Sequence, residues 1–295
     1  MSAPVRIDAP WLRDNPLPPI GGGGDKESRG RGLLVGGSVV VPGALRLTCE
    51  AMLRVGAGKV QVATVESAAL PLGVALPEAA VVALPQDEEG EIALDAAERL
   101  RGRMKGCQAL VLGPAMSARP HTPELVKALL DALPDDAPAL LDAAALTSCD
   151  EAMAAACRGG VVMTPHPGEL ARLTGIDKER IEADPPRAAC DAARRFNAVV
   201  ALKSSSTFIA APDGTLLHYV SEAPGLGTAG SGDVLAGVIG GLLARGAAPL
   251  VAAAWGVWLH GEAGKAAGAR VGPLGFLARE LPRELPALMA AQCLR

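Results

Sequence analysis

Short apolar runs alternate along this chain with longer segments in which apolar residues recur at helical spacing. Residues 32–36 form the first apolar run, and residues 59–63 form the second. Between them, residues 43–55 carry Leu45, Cys49 and Met52 at helical spacing. Short apolar runs bounded by turn residues are typical of buried strands, so this segment predicts a strand–helix–strand unit.

The same alternation continues toward the carboxyl terminus and predicts an α/β fold with a mostly parallel sheet between two layers of helices. Two apolar segments around Pro212-Asp213-Gly214 predict an appended hairpin. The chain after Ser231 predicts two helices. The predicted strands are 109–112, 139–142, 161–163, 199–203, 207–211 and 215–219, and the predicted helices are 123–133, 231–245 and 249–268.

Composition narrows the class of protein. Hydrophobic residues make up 49% of the 295 residues but aromatic residues only 2%, which favours an aliphatic sheet covered by Ala-rich helices. The net charge of −4 and the few aromatic side chains argue against nucleic-acid binding. No uncharged stretch reaches the length of about 20 residues that a membrane span needs, so no membrane partner is expected.

The cysteines and the amino terminus bear on location and domain organisation. The six cysteines show no C-x-x-C spacing, which predicts reduced thiols in a cytoplasmic protein. Residues 1–24 are rich in Pro and Gly and predict a flexible leader without the features of a signal peptide. Residues 25–295 are expected to form a single domain. The Ala-rich helices after Ser231 suggest a homo-oligomer.

The glycine-rich segment 224–237 is the strongest chemical signal. Its glycines let backbone N–H groups turn toward an anion, and a helix beginning near Ser231 adds the positive end of its dipole. Asp233 lies in the first turn of that helix. A carboxylate beside a phosphate fits a base that takes the proton of an attacking hydroxyl. The alternative is an acidic residue that only stabilises the helix start.

Polar or glycine residues also follow five predicted strands, and the carboxyl ends of parallel strands form the ligand edge of such sheets. His166 stands between two prolines and is either a structural loop residue or a ligand contact. Glu169 either caps the next helix or holds Mg²⁺ through water. Lys203 either extends into solvent or belongs to a phosphate site. The strand-end residues are Gly36-Gly37-Ser38, Gly113-Pro114, Asp142, Thr164 to Glu169 and Lys203.

Two common nucleotide motifs do not explain the chain. The chain has two Gly-Lys pairs, Gly58-Lys59 and Gly264-Lys265. Neither pair has the spacing of a P-loop, and neither lysine precedes Ser or Thr. Gly225-x-Gly227-x-x-Gly230 matches the dinucleotide fingerprint but does not follow the first strand of a strand–helix–strand unit. A Rossmann site is therefore not expected.

Three motifs together resemble the ADP/ATP-dependent NAD(P)H-hydrate dehydratases, a ribokinase-like family of metabolite-repair enzymes, from about residue 25 to about residue 268. The motifs are Gly36-Gly37-Ser38 with Pro42-Gly43-Ala44, Thr164-Pro165-His166-Pro167-Gly168-Glu169, and the segment 225–233. The resemblance implies a ribokinase-like three-layer α/β/α fold. It also implies that ADP or ATP phosphorylates the hydrate of NADH or NADPH (NADHX or NADPHX), and that loss of phosphate restores the nicotinamide cofactor.

The resemblance also implies roles for individual residues. Asp233 would be the catalytic base, and the N–H groups of residues 230–232 would hold the transferring phosphoryl group. Mg²⁺ would accompany ADP or ATP. The implied substrate-binding residues are Ala44, Gly113, Ser117, His166 and Asp233, and the implied nucleotide-binding residues are Lys203, Ser204, Ser205, Ser206, Thr207, Gly230, Ser231 and Gly232.

The chain departs from the usual family pattern at several positions, which keeps two alternatives open. Residues 113–117 read Gly-Pro-Ala-Met-Ser where the family usually shows Gly-Pro-Gly-Leu-Gly, and Ala144 replaces an Asp. Ser204 follows Lys203 in place of Gly, and residues 222–223 read Glu-Ala in place of Gly-Asn. The alternatives are a ribokinase-like kinase of a small molecule and a nucleotide-binding protein without catalysis.

Overall fold

A computed structural model of the chain describes residues 3–19, 26 and 28–293. The described residues form one ten-stranded sheet with the strand order β1-β10-β9-β8-β7-β6-β5-β2-β3-β4. Strand β9 pairs antiparallel with both β8 and β10, and all other neighbouring strands are parallel. The strands are β1 (Val5–Arg6), β2 (Arg31–Val35), β3 (Lys59–Val65), β4 (Ala80–Leu84), β5 (Ala109–Leu112), β6 (Ala139–Leu141), β7 (Val161–Met163), β8 (Val199–Leu202), β9 (Ser206–Ala210) and β10 (Leu216–Val220).

Helices cover both faces of the sheet. They are α1 (Ala9–Asp14), α2 (Ala44–Arg54), α3 (Glu66–Ala75), α4 (Ala96–Met104), α5 (Thr122–Asp131), α6 (Ala143–Thr147), α7 (Glu151–Ala156), α8 (Pro167–Thr174), α9 (Lys178–Ala183), α10 (Pro185–Phe196), α11 (Ser231–Ala244), α12 (Pro249–Val271) and α13 (Leu285–Cys293).

The central strands are apolar on both faces because alternate residues contribute to two different cores. On β2, Leu34 packs in the core formed with α2, α11 and α12. Leu33 and Val35 of the same strand pack in the core formed with α4, α5 and α10. Successive strand residues point to opposite faces, so a doubly covered sheet requires continuous apolar runs. The predicted three-layer fold with a mostly parallel sheet is confirmed.

The predicted hairpin is confirmed, because β9 and β10 pair antiparallel with Leu216 opposite Ala210. Helix α11 packs between the sheet and α2, and most of its residues are buried within the chain. The surface of α11 is therefore not available for a second subunit. The homo-oligomer itself stays a prediction.

The predicted flexible leader is wrong for residues 3–19, which belong to the folded unit. Strand β1 pairs parallel with β10, and Asp8 caps the start of α1, its side chain accepting a hydrogen bond from the Trp11 N–H at 3.0 Å. Leu12 is buried, and the indole of Trp255 donates to the Asn15 carbonyl at 2.8 Å. Residues 1, 2 and 20–24 of the predicted leader lie outside the described residues. The Pro-rich composition concealed a few apolar residues that anchor this segment.

Candidate active site

The five predicted strand ends meet at one edge of the sheet. Strands β8, β7, β6, β5 and β2 are consecutive and parallel in the strand order, so their carboxyl ends lie side by side. Helix α11 packs against β5 and α2 and begins at this edge. The glycine-rich segment and the strand-end residues therefore form one site, as parallel topology requires.

The start of α11 has the geometry of an anion site. Gly230 adopts φ +84°, and a Cβ there would lie 2.6 Å from Leu47 Cδ1, so glycine is required. The Ser231 N–H donates to the Thr228 carbonyl at 3.2 Å. Within the described part of the chain, the N–H groups of Gly232 and Asp233 have no hydrogen-bond partner. This corrects the expectation for Ser231, whose N–H is occupied, and leaves the next two N–H groups free for a phosphate.

Asp233 occupies a partly desolvated position in the first turn of α11. Burial and the charge of Asp142 raise the pKa of its carboxyl and the charge of Lys203 lowers it, with the net result that the pKa is about 6. A carboxyl group with this pKa is ionised at neutral pH but holds a proton more readily than an exposed aspartate. This is the behaviour that a catalytic base requires.

Lys203 joins two carboxylates at the end of β8. Its Nζ lies 2.8 Å from Asp142 Oδ1 and 3.8 Å from Glu169 Oε2. Burial alone would lower the pKa of Lys203, but Asp142 and Glu169 raise it above the ordinary value. Asp142 is buried and also accepts a hydrogen bond from the Thr164 hydroxyl at 2.7 Å. Lys203 is therefore a fixed cation, and a Cβ on Gly232 would lie 3.7 Å from its Nζ.

His166 and Glu169 form a reciprocal cap at the start of α8. The His166 Nδ1 accepts from the Gly168 N–H at 3.0 Å, and the His166 N–H donates to Glu169 Oε2 at 2.8 Å. The capping interpretation of Glu169 is therefore confirmed, and the helix that it caps begins at Pro167. The His166 ring is half exposed and lines the adjacent cleft, so it also remains available to a ligand.

A cleft of about 740 Å³ opens between these strand ends, the start of α11 and α12. Its apolar wall includes Leu226, Leu235 and Val257, which suits the base of a nucleotide. The predicted site residues that line this cleft are His166, Lys203, Ser204, Ser205, Thr207, Ser231 and Gly232.

Ser206 is the one predicted nucleotide-binding residue on β9 whose side chain lies elsewhere. Its hydroxyl pairs with His218 Nε2 at 2.6 Å, and the His218 ring stacks on Phe208. Strand alternation explains the difference, because Thr207 points to the opposite face of β9 and reaches the cleft.

Three of the predicted substrate-binding residues, Ala44, Gly113 and Ser117, lie around the neighbouring strand ends and do not line this cleft, whereas His166 does. Ala44 is the first residue of α2, which packs along α11. Gly113 has φ +114°, and a Cβ there would collide with the Asp142 carbonyl oxygen, so packing alone requires this glycine. Ala115 holds φ +59°, a left-handed conformation that favours glycine, where the family usually has glycine. The Ser117 N–H donates to the buried Glu91 carboxylate at 3.0 Å.

Two polar groups of α12 were missed by the sequence analysis. The imidazole Nε2 of His260 lies 2.9 Å from the Ser231 hydroxyl and lines the cleft. Glu262 accepts from the Tyr219 hydroxyl at 2.8 Å and pairs with Lys265 at 2.9 Å. The available signal for His260 was a histidine directly after the uncharged residues 246–259, in a helix that the periodicity had already predicted.

The described residues contain no cluster of three or more His, Cys, Asp or Glu side chains placed to hold a metal ion. Mg²⁺ usually takes one or two carboxylates, several waters and substrate phosphates rather than a cage of protein ligands. The side chain of Glu169 is 12% exposed and its Oε2 lies 3.8 Å from Lys203 Nζ, so it offers one carboxylate beside the anion site. This arrangement fits a magnesium ion that is held mainly by phosphates.

Comparison with known proteins decides between the families that could use such a site. The family model described as NAD(P)H-hydrate dehydratase matches residues 32–287. The chain belongs to the NAD(P)H-hydrate dehydratase family. It is 46% identical over 288 residues to an ADP-dependent (S)-NAD(P)H-hydrate dehydratase of Xanthomonas campestris, covering 96% of this chain and 95% of the relative.

Solved structures agree with the membership in this dehydratase family. The ADP/ATP-dependent NAD(P)H-hydrate dehydratase of Bacillus subtilis, co-crystallised with ATP and Mg²⁺, has a TM-score of 0.82 and 28% identity over 99% of both chains. A ribokinase-like superfamily protein of Enterococcus faecalis has a TM-score of 0.81 at 24% identity, covering 98% of this chain and 96% of that one. The second comparison confirms the ribokinase-like fold.

Proposed function

We propose that this dehydratase-family chain converts the hydrate of NADH or NADPH back to the reduced cofactor at the expense of ADP. The observation that carries the proposal is Asp233, a partly desolvated carboxyl beside two free N–H groups and the Lys203 ammonium. The name of the Xanthomonas relative supports ADP as the phosphoryl donor and the S form of the hydrate as substrate.

The reaction follows from the chemistry of these groups. Asp233 takes the proton of the hydrate hydroxyl while that oxygen attacks the β-phosphorus of ADP, and AMP leaves. The N–H groups of Gly232 and Asp233 and the Lys203 ammonium stabilise the charge on the transferring phosphoryl group. The ring nitrogen then donates its lone pair as the carbon–oxygen bond of the phosphate ester breaks, inorganic phosphate leaves, and loss of a proton from the adjacent ring carbon restores the double bond of NAD(P)H.

The remaining roles complete the proposal. Ser204, Ser205 and Thr207 line the nucleotide cleft, and Ala44, Gly113, Ser117 and His166 are the proposed contacts of the hydrated dinucleotide. Glu169 would hold Mg²⁺ through water, and the ion would offset phosphate charge when it is bound.

The cellular setting is proposed on two findings. The five cysteines whose side chains are described are unpaired and buried, which supports a reducing, cytoplasmic location. None of the helices in residues 3–19 and 28–293 is both long and apolar enough to cross a bilayer.

The test is recovery of the near-ultraviolet absorbance of NADH from hydrated NADH with Mg²⁺ and either ADP or ATP. We expect recovery that requires nucleotide, is faster with ADP, and releases AMP and inorganic phosphate in equal amounts. Asp233→Asn serves as the matched control that keeps the fold. A phosphorylated product that accumulates without loss of phosphate would identify a kinase instead, and nucleotide binding without turnover would identify a non-catalytic binder.

A further inference from the structure

Ser231 lines the nucleotide cleft, and its hydroxyl is the group that can contact a ligand. Its N–H is occupied by the Thr228 carbonyl at 3.2 Å, so only Oγ remains to contact a ligand. That Oγ lies 2.9 Å from His260 Nε2, and both side chains line the cleft. Ser231 is buried, which holds its hydroxyl in one environment.

His260 carries no charge at neutral pH. Burial lowers the pKa of its imidazole, a hydrogen bond with the Ser231 backbone raises it, and the Lys203 ammonium lowers it, with the net result that the pKa is about 4. A neutral imidazole has one N–H and one acceptor nitrogen, so Nε2 either donates to the Ser231 hydroxyl or accepts its proton. The two tautomers have opposite consequences for a bound phosphate.

We propose that His260 donates its Nε2 proton to Ser231 Oγ and thereby directs the serine hydroxyl proton to a phosphate oxygen of the bound nucleoside diphosphate. This inference rests on the proposed function for the identity of the nucleotide. In the other tautomer the hydroxyl proton would point to the imidazole, and the Oγ lone pairs would face a phosphate anion. Lys203 and the free N–H groups of Gly232 and Asp233 make the surroundings favourable to that anion.

His260 is a positioning residue, since it acts on the nucleotide through Ser231. A hydrogen bond to a charged group contributes about 1.5–3 kcal/mol, which corresponds to a change in affinity of roughly 10- to 140-fold. We therefore expect His260→Leu and Ser231→Ala each to weaken ADP binding by about 10-fold or more, measured by calorimetry. The double variant should bind ADP no more weakly than the weaker of the two single variants.

Two further variants separate positioning from a structural role. His260→Gln keeps an N–H donor and should recover most of the ADP affinity lost in His260→Leu. The matched control is His218→Leu, because His218 also pairs with a serine hydroxyl, at 2.6 Å, but outside the cleft. His218→Leu should leave the affinity for ADP unchanged. Melting temperatures establish that each variant is folded.

Nitrogen NMR of the His260 side chain gives a readout that does not depend on any variant. The Nε2-protonated tautomer is expected, and the Nδ1-protonated tautomer would overturn the inference. Equal ADP affinity in wild type and a folded His260→Leu would also overturn it. Binding is measured without the hydrate, so an enzyme that binds ADP as expected but restores no NADH would refute the proposed function and leave this inference standing.

Discussion

Replacing Asp233 by Asn should abolish most of the activity and at the same time stabilise the fold. The carboxyl has a pKa of about 6 in the folded protein against an ordinary value of 3.8, so its ionised form is disfavoured by folding. The difference corresponds to about 3 kcal/mol at most at a pH well above 6. The amide has nearly the same shape and no charge, so the variant avoids this cost. Turnover should fall by roughly 100- to 10,000-fold, the usual contribution of a general base.

The stability difference between wild type and Asp233→Asn should depend on pH. Between pH 3.8 and about 6 the folded protein binds more protons at Asp233 than the unfolded chain does. The cost of the ionised group is therefore complete above about pH 6 and disappears as the pH falls toward 3.8. Urea unfolding at about pH 8 should show Asp233→Asn to be more stable than wild type by up to about 3 kcal/mol, and at about pH 5 the difference should fall to roughly half.

Activity should report the same ionisation. The kcat/KM of the wild type should decline below about pH 6, because only the ionised Asp233 accepts a proton. Asp142→Asn removes a charge that raises this pKa and frees the Lys203 ammonium that lowers it, so the decline should move to lower pH. A folded Asp233→Asn that is no more stable than wild type at about pH 8 would refute the reasoning, because the carboxyl would then be favourably solvated or paired.

Two further predictions concern the loop after β5 and the amino-terminal segment. Ala115→Gly should raise the free energy of unfolding by about 1 kcal/mol, because Ala115 adopts φ +59°. The control Ala128→Gly, inside α5, should lower the free energy of unfolding by about 1 kcal/mol. An equal loss of stability in both variants would refute strain at Ala115. Leu12→Ala should lower the free energy of unfolding measured in urea by about 2–5 kcal/mol, because Leu12 is buried against the domain. An unchanged midpoint of the urea unfolding curve would show that α1 does not contribute to stability.

The sequence by itself determined the layered α/β architecture and the location of the site. Strands β2, β5, β6, β7 and β8 are all apolar runs that local periodicity detects, and their ends are marked by glycine or polar residues. The glycine-rich start of α11 was equally visible, because a backbone that turns its N–H groups toward an anion needs glycine at particular positions. These features depend on local hydrophobic periodicity and on the backbone conformations of particular residues, both of which can be read from one sequence.

Only the tertiary structure decided which groups interact with one another at the carboxyl edge of the sheet. Asp142, Lys203 and Glu169 come from three separate strand ends, and Ser231 meets His260 from a different helix. The desolvation that raises the pKa of Asp233 likewise depends on packing around α11. The anchoring of residues 3–19 depends on contacts with β10 and α12, more than two hundred residues away. Such long-range contacts leave no periodic signal in one sequence, because they depend on how whole elements pack.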